Sequence, residues 1–91
     1  MYERGEKMEH GITQTIRRFL TERAWLTVDA EVSESDSLLE KGVIDSMAMV
    51  ELVSFIEQTF EIRIHDEELM PENFDSLAAM RAFITAKRNG D

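Results

Sequence analysis

Residues 42–60 read GVIDSMAMVELVSFIEQTF and decide the fold class. From Ser46 onward, apolar residues recur at the three- and four-residue spacing of an amphipathic helix. We therefore predict a helix over residues 46–60, about 22 Å long at about 1.5 Å per residue. Its apolar stripe consists of Met49, Leu52, Val53, Ile56 and Phe60.

Two further amphipathic segments flank this helix. The later one begins near a cap at Asp75 or Ser76, and its inward-facing residues are Leu77, Met80 and Ile84. The earlier one has the same helical spacing, with an apolar stripe formed by Ile12, Ile16, Phe19 and Leu20. The more solvent-exposed side of this first helix is predicted to carry Arg17, Arg18 and Arg23.

The segments between these helices lack a sustained period. Residues 27–45 are predicted to form a long first loop, and its anchors to the core are Leu38 and Leu39. Residues 61–65 are predicted to form an extended connector with apolar anchors at Ile62 and Ile64. Residues 66–70 can form one helical turn that ends at Pro71.

These elements predict an all-α fold, a small bundle of three to four helices with a long first loop. The length of 91 residues suits one small domain. We expect a flexible N-terminal tail over residues 1–8, a single domain over 9–88 and a short C-terminal end over 89–91.

Composition excludes several classes of protein. The chain contains no Cys, which removes disulfides, thiolate zinc sites and cysteine nucleophiles. No apolar run reaches the roughly 18 residues that a membrane span needs, and the first ten residues are too polar for a signal peptide. We expect a soluble, cytoplasmic, monomeric protein.

The net charge of −9 is concentrated in the middle of the chain. Residues 29–75 carry fourteen acidic and two basic side chains, whereas both flanks are slightly basic. Such a field repels nucleic acids and anionic lipids and attracts basic protein surfaces. Solubility alone would also explain the composition.

The most specific site in the sequence is the Asp45-Ser46 pair at the start of the predicted helix. Asp and Ser are ordinary N-terminal caps, so the pair by itself favours a structural role. The start of a helix, however, also favours a bound phosphate. Met47 follows on the polar side of the helix, about 160° from the centre of the apolar stripe, where a pliable apolar side chain suits contact with partners.

From Leu38 to Ile84 the chain resembles acyl carrier proteins and peptidyl carrier domains. The resemblance depends on an ordered set of motifs: G-V-I-D-S-M, V-E-L-V, a helix ending E-Q-T-F, I-R-I followed by D-E-E-L, and N-F-D-S-L before a closing amphipathic helix. The D-S-M core is short and weakly specific, but the complete set at this spacing is specific.

This resemblance implies that Ser46 carries 4′-phosphopantetheine, attached from coenzyme A by a phosphopantetheinyl transferase. The thiol of that group would hold an acyl or aminoacyl cargo as a thioester and present it to downstream acyl-processing enzymes. The chain itself would have no catalytic residue and no metal site. The resemblance also implies that partners dock on Asp45, Met47, Glu51 and Glu57, although acids on a helix face are often only solvated.

One departure from the family pattern bears on the cargo. Gly-Val-Ile precedes the D-S pair, one residue more than in the G-x-D-S of housekeeping fatty-acid carriers. This form is more similar to carriers loaded by adenylate-forming ligases, including D-alanyl and peptidyl types. The resemblance therefore implies an acyl or aminoacyl ligase as a partner and leaves the pathway open.

Three alternatives compete with the carrier. The first is an unmodified acidic helical adaptor that binds a basic partner through Met47 and its acidic neighbours. The second is a small hydrolase, but Ser46 would need a base, and the only histidines are His10 and His65.

The third alternative is calcium binding by residues 29–40, whose oxygen-bearing side chains match most ligand positions of an EF-hand loop. Glu34 and Asp36 stand where that loop needs a glycine and an apolar residue.

Overall fold

The computed structural model describes residues 4–27 and 31–90, and in these ranges it contains helices and no strands. The all-α prediction is confirmed. None of the helices in the described ranges is long and apolar enough to cross a membrane. Four α-helices and one short 3₁₀ turn follow in the order α1 Arg4–Glu22, α2 Ser46–Phe60, the turn Asp66–Glu68, α3 Pro71–Phe74 and α4 Leu77–Arg88.

Helix α1 has the predicted apolar stripe, with Ile12, Ile16 and Leu20 buried and Phe19 half-buried. It begins at Arg4 and so includes residues 4–8, where the sequence analysis expected a tail. The apolar stripe begins only at Ile12, and a helix can extend beyond the residues that it buries, so the stripe does not show where α1 begins. Residues 1–3 lie outside the described ranges, and the domain limits stay predictions.

The described part of the first loop, residues 31–45, is irregular as predicted and is tied to the bundle at several points. The Arg17 guanidinium donates to the Val32 carbonyl oxygen at 2.7 Å, and the Ala78 N–H donates to the Glu34 carbonyl oxygen at 2.9 Å. Of the two predicted anchors, Leu38 is fully buried and Leu39 is half-buried. The loop is therefore a packed element of the fold.

Helix α2 spans the predicted residues, but its buried face differs from the predicted stripe. Leu52 and Ile56 are buried together with Ala48, which the prediction left out. The remaining members of the stripe, Met49, Val53 and Phe60, are half-buried. All five residues of the predicted stripe therefore lie in or against the core, and the buried face differs only in including Ala48 as well.

The connector after α2 is extended as predicted, with Ile64 buried and Ile62 half-buried. The predicted helical turn is also present, as the 3₁₀ turn at Asp66–Glu68. Pro71, however, is the first residue of α3. This role suits proline, because the first helical N–H has no intrahelical acceptor. Helix α3 buries Phe74, which the sequence analysis did not assign to the core.

Helix α4 agrees with its prediction in detail. Ser76 is the N-cap, and its hydroxyl accepts from the Ala79 N–H at 3.1 Å. The predicted inward-facing residues are all buried, and α4 packs against both α1 and α3. Lys87 in its last turn forms an ion pair with Glu68 at 2.9 Å. The pKa of the Glu68 carboxyl is lowered, chiefly by the His65 N–H that donates to it and further by Lys87.

Candidate functional site

Ser46 is the first residue of α2, and its side chain is exposed. Its neighbours Ile44 and Ala48 are buried, so the backbone on both sides is anchored to the core. Asp45 caps the helix: its Oδ1 accepts from the Ala48 N–H at 2.8 Å, as the sequence predicted for this position. The fold therefore presents the hydroxyl of Ser46 to solvent from a backbone that is fixed on either side.

The four residues before Ser46 reach this position through a tight turn. Gly42 has φ of +75°, in the left-handed region that glycine tolerates best. The chain then folds back on Leu38, whose carbonyl oxygen accepts from the Val43 N–H at 2.9 Å. Because Leu38 is fully buried, this contact sets the position of the motif relative to the core.

An apolar cleft of about 350 Å³ lies beside Ser46. One wall is α2 and the other is the segment from Leu69 to Phe74. The cleft is lined by Leu39, Ser46, Met49, Val50, Val53, Ser54, Leu69, Met70, Pro71 and Phe74. A long, flexible group attached at Ser46 would therefore have an apolar surface immediately next to it.

Met47 lies on the outer side of α2 with 77% of its surface exposed, as the helical wheel predicted. Val50, one turn later, is 69% exposed. Val50 was not predicted as a site residue, although its spacing of four residues from Ser46 places both side chains on one side of the helix.

The acids predicted to dock partners all have internal contacts. Asp45 caps α2. Glu51 forms an ion pair with Arg23, the residue that follows the end of α1, with Oε1 and Nη2 2.5 Å apart. Glu57 is half-buried, and its Oε2 accepts from the Ile64 N–H at 2.8 Å. These contacts do not test whether partners bind there, so the docking role of these acids stays a prediction.

His65, the one histidine whose side chain is described, offers no base for Ser46. His65 is exposed and lies beside Glu57 and Gln58, about three helical turns from Ser46 along α2. The side chain of His10 lies outside the described residues. A base must come within hydrogen-bond reach of the hydroxyl that it activates, so the geometry described does not support the hydrolase alternative.

The predicted calcium loop is only partly described, since Asp29 lies in the undescribed range. Among the described residues, no group of three acidic or histidine side chains is placed to hold a metal ion. Ser37 instead donates to Asp75. The pKa of Asp36 is lowered, chiefly by the Ser33 N–H, which donates to its carboxylate, while Lys41 contributes a smaller share.

Two residues make contacts near the site that were not predicted from the sequence. Arg23 was assigned only to the solvent-exposed side of the first helix, yet it reaches Glu51 of α2, for which partner docking is a prediction. Asp75 was considered as a helix cap, yet its carboxylate holds the loop that precedes Ser46. Both contacts join residues far apart in sequence, and no local spacing indicates them.

Comparison with known proteins places these residues in context. Residues 14–84 match the family model described as the phosphopantetheine attachment site. The chain is also 30% identical, over 84 residues, to aminoacyl carrier protein 2 of Bradyrhizobium diazoefficiens strain USDA 110. That match covers 92% of this chain and 90% of the relative. No solved structure matches the chain significantly.

Proposed function

Because this chain belongs to the phosphopantetheine attachment site family, we propose that Ser46 is the residue of this carrier protein that bears 4′-phosphopantetheine. The family membership confirms the resemblance to acyl and peptidyl carriers found in the sequence. The group is covalently attached in this family. The observation that carries the proposal is the exposed hydroxyl of Ser46 at the first residue of α2.

The surroundings of Ser46 fit a phosphodiester. Within the described residues, the N–H groups of Ser46 and Met47 have no hydrogen-bond acceptor, as expected for the first turn of a helix. These N–H groups and the positive end of the helix dipole favour a negative charge at this place. Asp45 is the one acid beside the hydroxyl in sequence, and its carboxylate is turned toward the Ala48 N–H.

Attachment breaks the phosphoanhydride of coenzyme A and forms a phosphate ester at Ser46. The Ser46 oxygen forms a bond to the phosphorus next to the pantetheine of coenzyme A and loses its proton. The bond from that phosphorus to the bridging oxygen breaks, and adenosine 3′,5′-bisphosphate leaves. The Asp45 carboxylate is engaged by the Ala48 N–H, so in this proposal the transferase supplies the acceptor for the Ser46 proton.

The attached group supplies the thiol that this Cys-free chain lacks and holds cargo as a thioester. The protein chain has three tasks in this proposal. It displays Ser46, keeps the backbone at residues 44–48 rigid and offers a surface to partner enzymes. Met47, next to the attachment point, is the side chain of α2 best placed to contact each of them.

Attachment is tested by intact mass. The folded protein is incubated with coenzyme A, magnesium and a broad-specificity phosphopantetheinyl transferase, beside Ser46→Ala and Ser54→Ala. Ser54 is the matched control, because it is also an exposed serine of α2 that lines the cleft. We expect wild type and Ser54→Ala to gain one phosphopantetheine and Ser46→Ala to gain none. No gain in folded wild type would refute the proposal and favour the unmodified adaptor.

For the cargo we propose an amino acid, loaded by an adenylate-forming ligase. Support comes from the aminoacyl carrier named above and from the Gly-Val-Ile-Asp-Ser motif. The test is to purify the modified protein from its source cells and release the cargo with hydroxylamine, which cleaves thioesters. An amino acid hydroxamate is expected, and a fatty acyl hydroxamate would contradict the proposal while leaving Ser46 as the attachment site.

A further inference from the structure

The exposed large apolar side chains of the described residues are gathered on one side of the bundle. Met47 follows Ser46, and Val50 lies one turn further along α2. Leu69 and Met70, which are 47% and 40% exposed, lie on the opposite wall of the cleft that Ser46 borders. An apolar patch of this kind on a highly charged protein indicates a binding surface.

One acid beside this patch, Glu51, is paired within the molecule. Glu51 lies one turn after Met47 and is the acid of α2 nearest to the middle of the patch. Its carboxylate pairs with Arg23, which extends from the end of α1. Both side chains are about half exposed, so the pair lies at the surface where a partner would meet it.

Arg23 is held in this position by aromatic rings. Its guanidinium carbon lies 5.2 Å from the centre of the Phe19 ring and 5.6 Å from that of Trp25. Phe19 in turn stacks on Phe55 of α2, with ring centres 4.1 Å apart. The positive φ of 65° at Ala24 turns the chain so that Trp25 folds back beside α1.

This aromatic support distinguishes Arg23 from a mobile surface side chain. Cation–π contacts contribute about 0.5–1 kcal/mol each at exposed sites, which adds to the attraction of Glu51. A basic partner would have to displace Arg23 before it could pair with Glu51. An apolar partner would meet no such competition at Met47 and Val50.

We propose that Arg23 is a specificity-determining residue for docking, because it holds Glu51 in an internal ion pair. The surface around Ser46 then selects protein partners that make apolar contacts with Met47 and Val50. Partners that dock through a basic patch are disfavoured. This proposal rests on the carrier function proposed above. Its first partner is the transferase that modifies Ser46. Docking should then depend little on salt, because screening acts on charge pairs and not on apolar contacts.

The test measures kcat/KM of a broad-specificity phosphopantetheinyl transferase with this protein at 50, 150 and 500 mM NaCl. The variants are Arg23→Gln, Arg23→Gln combined with Glu51→Gln, and Met47→Ser. Arg18→Gln is the matched control, since it removes an exposed arginine of α1 that takes no part in the ion pair. Thermal unfolding of each variant verifies the fold, and an exposed ion pair contributes at most about 1 kcal/mol to it.

Wild type and Arg18→Gln should vary less than about twofold across the salt range, which is less than 0.5 kcal/mol. Arg23→Gln frees the Glu51 carboxylate and should make kcat/KM fall severalfold as salt rises. The double variant should return to the wild-type salt dependence, and Met47→Ser should lose about tenfold at every salt concentration.

Three results would overturn the inference and leave the proposed function standing. The first two are modification of wild type that falls tenfold with salt and an equal salt dependence of Arg23→Gln and the double variant. The third is an unchanged rate in folded Met47→Ser. If folded wild type is not modified at any salt concentration, the proposed function fails, and the inference fails with it.

Discussion

The hydroxyl of Ser37 donates a hydrogen bond of 2.6 Å to the carboxylate of Asp75, across 38 residues of sequence. The same carboxylate accepts from the Leu39 N–H at 2.9 Å, and the Asp75 carbonyl oxygen accepts from the Leu38 N–H at 2.8 Å. Three contacts thus tie the residue between α3 and α4 to the loop that leads to Ser46. Asp75 therefore helps to hold the loop before Ser46 in place without contacting Ser46 itself.

Replacing Asp75 should weaken the fold. In Asp75→Ala the Ser37 hydroxyl and the Leu39 N–H lose a charged acceptor in a partly buried position, and we expect a loss of about 2–3 kcal/mol in the free energy of unfolding. Urea titration measures it. Glu72→Ala, on the exposed side of α3, is the control and should change stability by less than about 0.5 kcal/mol. Equal losses in the two variants would contradict a specific role for Asp75.

Removal of the α2 cap should cost stability without removing the attachment point. Asp45→Ala leaves the Ala48 N–H without its side-chain acceptor, so we expect about 1 kcal/mol of destabilisation. Asp45→Asn keeps an acceptor oxygen and should recover most of it. The measurement is thermal unfolding together with the mass gain described above, which should persist in both variants. An Asn variant as unstable as the Ala variant would argue against capping.

Two glycines should respond in opposite directions to alanine. At both Gly11 and Gly42 an added Cβ would meet no atom within 4 Å, so only backbone conformation differs. Gly42→Ala puts a side chain at φ of +75° and should cost about 1–2 kcal/mol. Gly11→Ala lies within α1 and should stabilise by about 0.5–1 kcal/mol. Melting temperatures test this, and a shift in the same direction for both would refute it.

The Glu68–Lys87 pair should make stability depend on acid pH. The folded protein lowers the pKa of Glu68 through the His65 N–H and Lys87. The ordinary pKa of a glutamate is 4.5, and the pKa of Glu68 in the folded protein is lower. The resulting gain in the free energy of unfolding is complete above pH 4.5. It is lost as the pH falls through the pKa of the folded state.

Glu68→Gln should therefore destabilise the protein at pH 7 and flatten the decline of stability below pH 4.5. Unfolding by urea at several pH values measures both effects. Glu67→Gln, an exposed neighbour with no ion pair among the described residues, is the control and should retain the wild-type profile. A profile of Glu68→Gln that matches wild type at every pH would contradict the assignment.

Much of this site could be predicted from local sequence. The start of α2, the Asp45 cap and the position of Ser46 depend on contacts between residues within four positions of each other, which spacing and residue type report directly. The exposure of Met47 followed from the helical period in the same way. The cleft could not be predicted, because its second wall comes from residues 69–74, which a separate turn brings back to α2.

The sequence by itself determined the spans of α2 and α4, the place of the α4 cap to within one residue and the serine at the start of α2. Each of these depends on hydrogen bonds or periodicity within one element. The tertiary structure alone decided that Arg23 neutralises Glu51 and that Asp75 holds the loop before Ser46. These contacts depend on the packing of whole helices, whose angle and depth are set jointly by all buried side chains. The spacing of residues within one helix therefore cannot predict these contacts.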